Sequence, residues 1–399
     1  MKIAILGMGN IGSGVVDVIL KNGAQIEKAC GQPLEIKYIL DLRDFPTHPL
    51  GDRIVHDINI IINDPEVTLV AEMMGGSHPA FDFSLSALES GKTVVTSNKE
   101  VVARFGAKLT KAAALHNVHY LYEASVGGGI PLIRPIVDCL ASETITSIDG
   151  IVNGTTNYIL SSIASSGRDF DDVLNEAKAL GYAEPNPTAD IDGIDAERKI
   201  TILTALMTGR LYTPEKVCTE SIKDVSFSEI KTAAASGGTI KLIAHSSEEK
   251  GKSDIFAAPC FVPQSSPLSH IDGVFNSVLV NASVSGPLMF FGSGAGKYPT
   301  AGSIIADIIA VANGTQRHAA PFEKADDSTL LPSDLHVSSH FYCIPAALRE
   351  KAESVLTGAQ LFECENTDTV GAIMPPEYHK DASRRRDEIG GETSVYRVI

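Results

Sequence analysis

The chain has 399 residues, more than one hydrophobic core usually organises, so we expect two or three domains. Its composition is that of a soluble globular protein, with 44% hydrophobic and 21% charged residues and no tryptophan. The formal net charge of −16 argues against nucleic acid and anionic membrane surfaces as partners, because both bind through a basic face.

Targeting and redox signals are also weak. Glycines interrupt the apolar run at the start of the chain, so we expect no signal peptide, and no stretch is long and apolar enough to cross a membrane. The six cysteines are scattered without a C-x-x-C pair, which is typical of reduced thiols. We expect a cytoplasmic protein that binds a small molecule or another protein.

The first predicted elements form a dinucleotide-binding turn. KIAILGMG reads as a strand, and Gly7-x-Gly9-x-x-Gly12 follows it and opens an apolar helix pattern. Gly7 permits a tight turn, Gly9 lets the backbone approach a pyrophosphate, and Gly12 lets helix and strand pack closely. The alternative is a glycine turn with a structural role alone.

EIKYIL is the next predicted strand, and it ends at Asp41. A carboxylate there would accept hydrogen bonds from the ribose 2′-OH of NAD, whereas Arg43 could meet the 2′-phosphate of NADP. The separation between Gly12 and Asp41 is longer than usual, and Asp41 could instead be a plain turn residue at a strand end. The choice between NAD and NADP therefore stays open.

Two further α/β units follow, with strands VTLVAE and KTVVT and helices after each. Ligands of open parallel sheets bind at the carboxyl ends of the strands. This rule predicts that Gly75 and the residues 96–99 lie near the cofactor. Lys99 is the strongest candidate there, although an ordinary solvent-exposed lysine is the alternative.

The middle of the chain holds two glycine-containing motifs. Three glycines, 127–129, follow a predicted strand, and they indicate either special backbone angles suited to a small cation or a simple domain crossover. In GIVNGTTNYIL, we expect Thr155 or Thr156 to cap a helix that begins near Asn157. Exposed amides and hydroxyls at a helix start suit an anionic or carbonyl-bearing ligand.

The stretch GYAEPNPTADIDGIDAERK combines a carboxylate-rich loop with a lysine at the foot of an apolar helix. Its prolines predict a shaped, non-helical loop, and Asp195 and Lys199 lie four residues apart on one helix face. They could form a surface ion pair beside a solvated loop. Alternatively, Lys199 transfers a proton while the carboxylates bind the ammonium group of an amino-acid substrate.

The last segment, 333–399, predicts the order β-α-β-β-α-β, which is ferredoxin-like. Its second predicted strand is AQLFECEN, and its second predicted helix is PEYHKDASRRRDEI, which begins at Pro376. A polar, proline-bearing linker precedes it. We interpret the run Arg384-Arg385-Arg386 as a solvated helix face rather than an anion site.

Six motifs in order carry a family resemblance: GMGNIG, GKTVVTSNKE, YEASVGGGIP, GIVNGTTNYIL, GYAEPNPTADIDGIDAERK and FGSGAGKYPTA. Over about residues 1–320 the chain resembles homoserine dehydrogenase. The resemblance implies reversible NAD(P)-dependent conversion of L-aspartate 4-semialdehyde to L-homoserine. It also implies a homodimer or homotetramer, and a C-terminal ACT domain that senses an amino acid such as threonine. The Asp-x-Pro-Gly turn usual in ACT domains is replaced here by Cys343-Ile344-Pro345, which leaves threonine binding open.

The same resemblance implies roles for individual residues. Lys199 would be the general acid/base, Asp195 would orient the reacting oxygen, and Lys99 would lie between nicotinamide and substrate. The implied substrate-binding residues are Glu184, for the amino group, with Asp190, Tyr182, Gly154 and Thr155. The implied cofactor-lining residues, beside the glycine turn, are Met8, Asn10, Ile11, Gly75, Gly181 and Gly296. A sodium ion would be held by the main-chain carbonyls of Glu123, Val126, Gly128 and Ile130.

We therefore predict an α/β protein with three parts. Residues 1–130, completed by 297–320, would form a Rossmann-type nucleotide-binding domain. Residues 131–296 would form an α+β catalytic and dimerisation domain, and 333–399 an ACT-like domain.

Two other functions remain as alternatives. One is another amino-acid dehydrogenase of related architecture, although aspartate-semialdehyde dehydrogenase needs a nucleophilic cysteine that no motif here supplies. The other is a non-catalytic nucleotide-sensing regulator.

Overall fold

The computed structural model describes residues 1–315, 320–364 and 367–399. The predicted segment 297–320 therefore contains four residues outside the described part, 316–319, and the predicted strand AQLFECEN contains two, 365 and 366. The chain divides into two compact units. The first comprises Met1–Thr144, Thr201–Pro214 and Gly292–Ala325, and the second comprises Ile145–Ile200, Glu215–Phe291 and Asp326–Ile399.

The strands in chain order are β1 (Lys2–Leu6), β2 (Glu35–Leu40), β3 (Ile54–Val55), β4 (Val67–Glu72), β5 (Thr93–Thr96), β6 (Tyr120–Leu121), β7 (Ile145–Ile151), β8 (Arg210–Leu211), β9 (Cys218–Thr219), β10 (Gly238–Glu249), β11 (Lys252–Pro263), β12 (Phe275–Ala282), β13 (Gly286–Ser293), β14 (Glu323–Lys324), β15 (Val337–Pro345), β16 (Gln360–Phe362), β17 (Thr369–Tyr378) and β18 (Ser394–Val398).

The α-helices are α1 (Asn10–Cys30), α2 (Ile58–Ile62), α3 (Ala80–Glu89), α4 (Lys99–Leu115), α5 (Gly154–Ser166), α6 (Phe170–Ala179), α7 (Thr188–Ile191), α8 (Ile194–Thr208), α9 (Phe227–Ala235), α10 (Lys297–Asn313), α11 (Arg349–Val355) and α12 (His379–Ile389). None of the described helices combines the length and the apolar character that a membrane-spanning helix requires.

The first unit is built on a parallel sheet with the order β3-β2-β1-β4-β5-β6. The order reverses at β1, where β2 lies on one side and β4 on the other, and ligands of such sheets bind at this point. Apolar side chains of β1 pack against α1 and α10, with Ile5, Val16 and Ile304 all buried. The predicted Rossmann-type architecture is confirmed for this unit.

The second unit is built on a mixed sheet with the order β13-β12-β7-β10-β11-β18-β15-β17-β16, and β9 pairs beside β11. The long β10 and β11 form an antiparallel hairpin in its centre. Burial of residues such as Ile243, Phe256 and Leu268 gives this part its own core.

The C-terminal strands take the order β18-β15-β17-β16, with α11 and α12 in the connections. The predicted βαββαβ sequence of elements is present, and Tyr342, Leu356, Met374 and Ile389 are among its core residues. β18 also pairs in parallel with β11, at Cys260. The C-terminal segment thus continues the sheet of the second unit.

Three local predictions were wrong. The fifth helix begins at Gly154 and not near Asn157, because Asn153 is its cap. One helical turn, α7, lies within the predicted irregular loop, after its second proline. Finally, β17 extends to Tyr378 where a helix was predicted from Pro376 onward. β16 pairs with residues 371–373 of β17. Pro375 and Pro376 lie beyond this pairing, so their missing N–H groups remove no hydrogen bond between the two strands.

Candidate active site

The turn between β1 and α1 has the geometry that a dinucleotide pyrophosphate requires. Gly7 has a φ of +92°, and its N–H donates to the carbonyl of Leu40 at 2.8 Å. A Cβ at Gly12 would lie 1.9 Å from the carbonyl oxygen of Gly7, so helix and strand pack closer than any side chain permits. A Cβ at Gly9 would meet nothing within 4 Å, which leaves open space in front of the helix start. Met8, Asn10 and Ile11 complete this turn.

Asp41 follows β2 directly, and both of its oxygens are engaged. Oδ2 accepts from the N–H of Met8 at 2.7 Å, and Arg43 donates from its backbone N–H and its guanidinium to the carboxylate. The Arg43 guanidinium is the main reason that the pKa of Asp41 is lowered to about 2. The Arg43 side chain is 62% exposed and the Asp41 side chain 9% exposed, so the solvent side leaves room for Arg43 to turn away from the carboxylate.

Gly75 and Lys99 lie on neighbouring strand ends of the first unit. Lys99 is the first residue of α4, which Asn98 caps by accepting from the N–H of Val101. The Asn98 amide also donates to the carbonyls of Met74 and Gly76 at 3.2 and 2.8 Å. The structure therefore ties the loop that contains Gly75 to the start of the helix that carries Lys99.

The loop of three glycines is closed by two buried carboxylates. Sequence reasoning named Glu123 for its main-chain carbonyl, and it missed the role of the Glu123 side chain and missed Asp307 altogether. The Glu123 side chain accepts from the backbone N–H groups of Leu132, Ile133 and Arg134 at 2.6–2.9 Å. Asp307 accepts from the N–H of Glu123 and from the Arg134 guanidinium. Burial raises the pKa of Asp307 to about 7.

Gly127 and Gly128 in this loop both have positive φ, and the carbonyl of Gly128 accepts from the Ser303 hydroxyl at 2.6 Å. A Cβ at Gly128 would lie 2.5 Å from the Gly294 carbonyl, so a second glycine loop packs directly on it. Val126 and Ile130 flank the three glycines. That second loop ends at Gly296, which caps α10 with a φ of +118°.

The second unit contains a buried polar cluster around Lys199. Its ammonium group donates to the carboxylate of Asp195 at 2.6 Å and to the carbonyl of Val152 at 2.6 Å. The Lys199 and Asp195 side chains are 9% and 7% exposed. The interpretation of this pair as a surface ion pair was therefore wrong.

Asn153 connects the cluster to the carboxylate-rich loop. Its Oδ1 caps α5, while its Nδ2 donates to Asp190 at 2.7 Å and to Asp195 at 2.9 Å. Asn153 was not among the predicted site residues. The one sequence signal was its position before Gly-Thr-Thr, where an asparagine is a preferred helix cap.

The remaining predicted substrate residues lie around the start of α5 and the loop after α6. The Thr155 hydroxyl donates to the carbonyl of Tyr182 at 2.6 Å, which joins these two segments. Tyr182 packs against Tyr158 with the two rings tilted by 59° and their centroids 5.0 Å apart, and Gly181 turns the chain with a φ of +75°. Gly154 is the first residue of α5, and Glu184 is exposed in the loop.

Each unit therefore supplies a distinct chemical capacity. The first offers a glycine turn and strand ends that suit a dinucleotide. The second offers a buried ammonium group held by a carboxylate and a carbonyl, with that carboxylate bound in turn by the residue that caps α5. This arrangement suits proton transfer to an oxygen atom. Among the described residues, no cluster of three or more His, Cys, Asp or Glu side chains has the geometry of a metal site.

Comparisons with known families agree with this division. The model of a homoserine dehydrogenase NAD-binding domain matches residues 7–123, and the model of homoserine dehydrogenase itself matches residues 131–309. The homoserine dehydrogenase of Synechocystis sp. is 38% identical over 351 residues, covering 86% of this chain and 79% of that protein. The homoserine dehydrogenase of Neisseria gonorrhoeae is 36% identical and covers 87% and 82%.

Solved structures are similar over the same regions. A homoserine dehydrogenase from Thiobacillus denitrificans has a TM-score of 0.88 at 28% identity, over 100% of this chain and 98% of that chain. A hyperthermophilic archaeal homoserine dehydrogenase in complex with NADPH has a TM-score of 0.65 at 26% identity, over 77% and 96%.

Proposed function

The chain belongs to the homoserine dehydrogenase family, and from this premise we propose how its residues carry out the reaction. The protein is an NAD(P)-dependent oxidoreductase that interconverts L-aspartate 4-semialdehyde and L-homoserine, a step in the biosynthesis of threonine, methionine and isoleucine. The observation that carries our assignment of residues is the buried contact between Lys199, Asp195 and the carbonyl of Val152.

One observation supports binding of the cofactor to the first unit. The turn leaves open space at Gly9, while at Gly12 the start of α1 packs closely on the carbonyl of Gly7. The backbone N–H groups at the start of α1 would bind the pyrophosphate, and the residues near Gly75, Lys99 and Gly296 would line the rest of the molecule. When bound, the nicotinamide exchanges a hydride with the substrate carbon.

Lys199 is the proposed proton donor and acceptor. Asp195 and Val152 accept two of its three ammonium N–H bonds, and the third can point at the substrate oxygen. During reduction, the developing alkoxide takes a proton from Nζ. During oxidation, neutral Nζ takes the proton of the homoserine hydroxyl.

Asp195 acts on the same oxygen in a more limited way than the family resemblance suggests. An ionised carboxylate only accepts hydrogen bonds, so it can orient the homoserine hydroxyl but not a carbonyl or alkoxide. Its contacts with Lys199 and Asn153 indicate that its principal task is to fix the ammonium group.

The amino group of the substrate is the proposed ligand of the carboxylate-rich loop. Glu184 is exposed there and can approach a cation, while Asp190 is held by the Asn153 amide. Tyr182, Thr155 and the backbone at Gly154 would complete the pocket. Lys99 would lie beside the nicotinamide in the first unit.

The pair of Asp41 and Arg43 bears on the choice between NAD and NADP. With the pair closed, the carboxylate is already satisfied by Met8 and Arg43. If Arg43 turns outward, it can contact a 2′-phosphate, and Asp41 can accept from a ribose hydroxyl instead. This arrangement supports use of both cofactors.

A sodium ion is proposed from the family resemblance, with the carbonyls of Glu123, Val126, Gly128 and Ile130 as ligands. Hard cations take oxygen ligands. Gly127 and Gly128 have positive φ angles, so the backbone of this loop is not extended and its carbonyl groups can turn inward. The ion would be structural and would take no part in hydride transfer.

We also propose that the protein is a homodimer or homotetramer. β13 lies at the edge of the sheet of the second unit, and its alternate side chains Met289 and Phe291 are 44% and 52% exposed. Phe275 of the neighbouring β12 is 43% exposed. A second copy of the chain would cover this apolar strip. The C-terminal ferredoxin-like segment is proposed to be ACT-like and to bind an amino-acid effector.

The direct test is an assay of the purified protein with L-aspartate 4-semialdehyde and either NADH or NADPH, with and without threonine. We expect consumption of the reduced cofactor that depends on the semialdehyde. Absence of consumption with both cofactors would contradict the proposed assignment, while a change on adding threonine would support the effector site.

A further inference from the structure

A buried carboxylate lies at the carboxyl end of β4, next to the point where the strand order reverses. Glu72 is 0% exposed. Its Oε1 accepts from the N–H of Met74 at 2.6 Å, and its Oε2 accepts from the Thr96 hydroxyl at 2.6 Å. Within the described residues, no lysine or arginine forms a salt bridge with it. A buried carboxylate of this kind is costly to keep ionised.

The contacts of Glu72 continue into the two loops proposed to hold the nicotinamide. The Thr96 oxygen accepts from the N–H of Asn98 at 2.9 Å. Asn98 in turn caps α4 and donates to the carbonyls of Met74 and Gly76. A single carboxylate therefore lies at the base of a network that joins the loop after β4 to the start of α4.

The ionised form suits this network better than the neutral form. A carboxylate only accepts, so both the Met74 N–H and the Thr96 hydroxyl point at Glu72, and the Thr96 lone pairs stay available for Asn98. A protonated carboxyl must itself donate, and Thr96 is the acceptor within reach. The Thr96 hydrogen then has to turn away from Glu72. The Thr96 oxygen can still accept from both the carboxyl and the Asn98 N–H, but the buried hydroxyl hydrogen loses its acceptor, which is unfavourable.

We propose that Glu72 is a positioning residue for hydride transfer, which acts by holding the loops of Gly75 and Lys99 in the arrangement that binds nicotinamide. This inference rests on the proposed roles of Gly75 and Lys99. A purely structural role is the less economical explanation, because a neutral side chain would fill the same space without the cost of a buried charge.

The proposal predicts a pH dependence with a definite sign. Burial raises the pKa of Glu72 to about 7. The groups that face it are Thr96 and Asn98, which do not titrate, and Tyr120, whose pKa burial raises well above 10. Activity should therefore fall as the pH drops below about 7. Stability should change in the opposite sense, because the folded state holds the proton more tightly than the unfolded chain, and this advantage is lost as the pH rises through about 7.

The test compares the wild type with Glu72→Gln and with the control Glu89→Gln, an exposed residue at the end of α3. We would measure kcat and KM for NADPH from about pH 5.5 to 9, and Tm by calorimetry at about pH 8. For Glu72→Gln we expect kcat/KM lowered about 10- to 100-fold at pH 8, an acid limb near pH 7 that disappears, and a Tm equal to or above that of the wild type. Glu89→Gln should behave as the wild type does.

Two outcomes would overturn the inference. In one, Glu72→Gln keeps the activity and the acid limb of the wild type. In the other, its activity and Tm fall together, which would show a structural role alone. If the wild type itself binds NADPH but does not turn over the semialdehyde, the proposed function fails. The Glu72 proposal is then judged by fluorescence titration, in which Glu72→Gln should weaken NADPH binding at least about 10-fold.

Discussion

Replacement of Lys199 by methionine tests the proposed mechanism most directly, because methionine keeps much of the volume and removes the charge. The variant loses both hydrogen bonds of the ammonium group, to Asp195 and to Val152. It also leaves the Asp195 carboxylate buried, with the Asn153 amide as a remaining donor. Activity and stability should therefore both change, and by separable amounts.

The loss of a general acid/base is expected to lower kcat by about 10²- to 10⁴-fold. This corresponds to about 3–5 kcal/mol in the activation free energy. Removal of one partner of a buried ion pair costs about 3–5 kcal/mol of folding stability, because the other charge stays buried. Neutralising both partners removes that penalty. The Asp195→Asn/Lys199→Met double variant should thus recover most of the stability and none of the activity.

Steady-state kinetics, thermal melting and NADPH fluorescence titration would separate these effects. We expect NADPH affinity within about twofold of the wild type for Lys199→Met, since the cofactor turn lies in the other unit. A loss of kcat below about 10-fold, or activity regained in the double variant, would refute the proton-transfer role. A parallel loss of cofactor binding would refute the assignment of Lys199 to the substrate.

Two further predictions concern the cofactor. Gly12→Ala should weaken NADPH binding at least about 10-fold and destabilise the fold by about 1–3 kcal/mol, because the new Cβ would meet the Gly7 carbonyl at 1.9 Å. Gly23→Ala, which follows the non-helical Asn22 that kinks α1, meets no atom within 4 Å and should leave NADPH binding and thermal melting close to those of the wild type. Equal behaviour of the two variants would contradict the close-packing argument. Asp41→Ala should raise KM for NAD more than KM for NADP, since it removes the ribose acceptor and frees Arg43. An equal rise for both cofactors would show that Asp41 does not contact the ribose.

The chain sequence alone was sufficient for features that depend on neighbouring residues. The strand, glycine turn and helix at residues 2–30 follow from local periodicity and from glycine positions, and the structure shows the close approach that Gly12 permits. The βαββαβ order of the last segment was also predictable, since each element has its own pattern. The four-residue spacing placed Asp195 and Lys199 on one helix face.

Tertiary structure alone decided what surrounds those residues. Lys199 meets a carbonyl 47 positions earlier in the chain, and Asp195 meets an amide 42 positions away, so no local pattern could reveal that the pair is buried. The same holds for Glu72, whose partner Thr96 lies on the adjacent strand, and for the parallel pairing of β18 with β11. Local sequence determines which way a side chain faces on its own element. Burial and hydrogen-bond partners depend on segments brought together only when the chain folds.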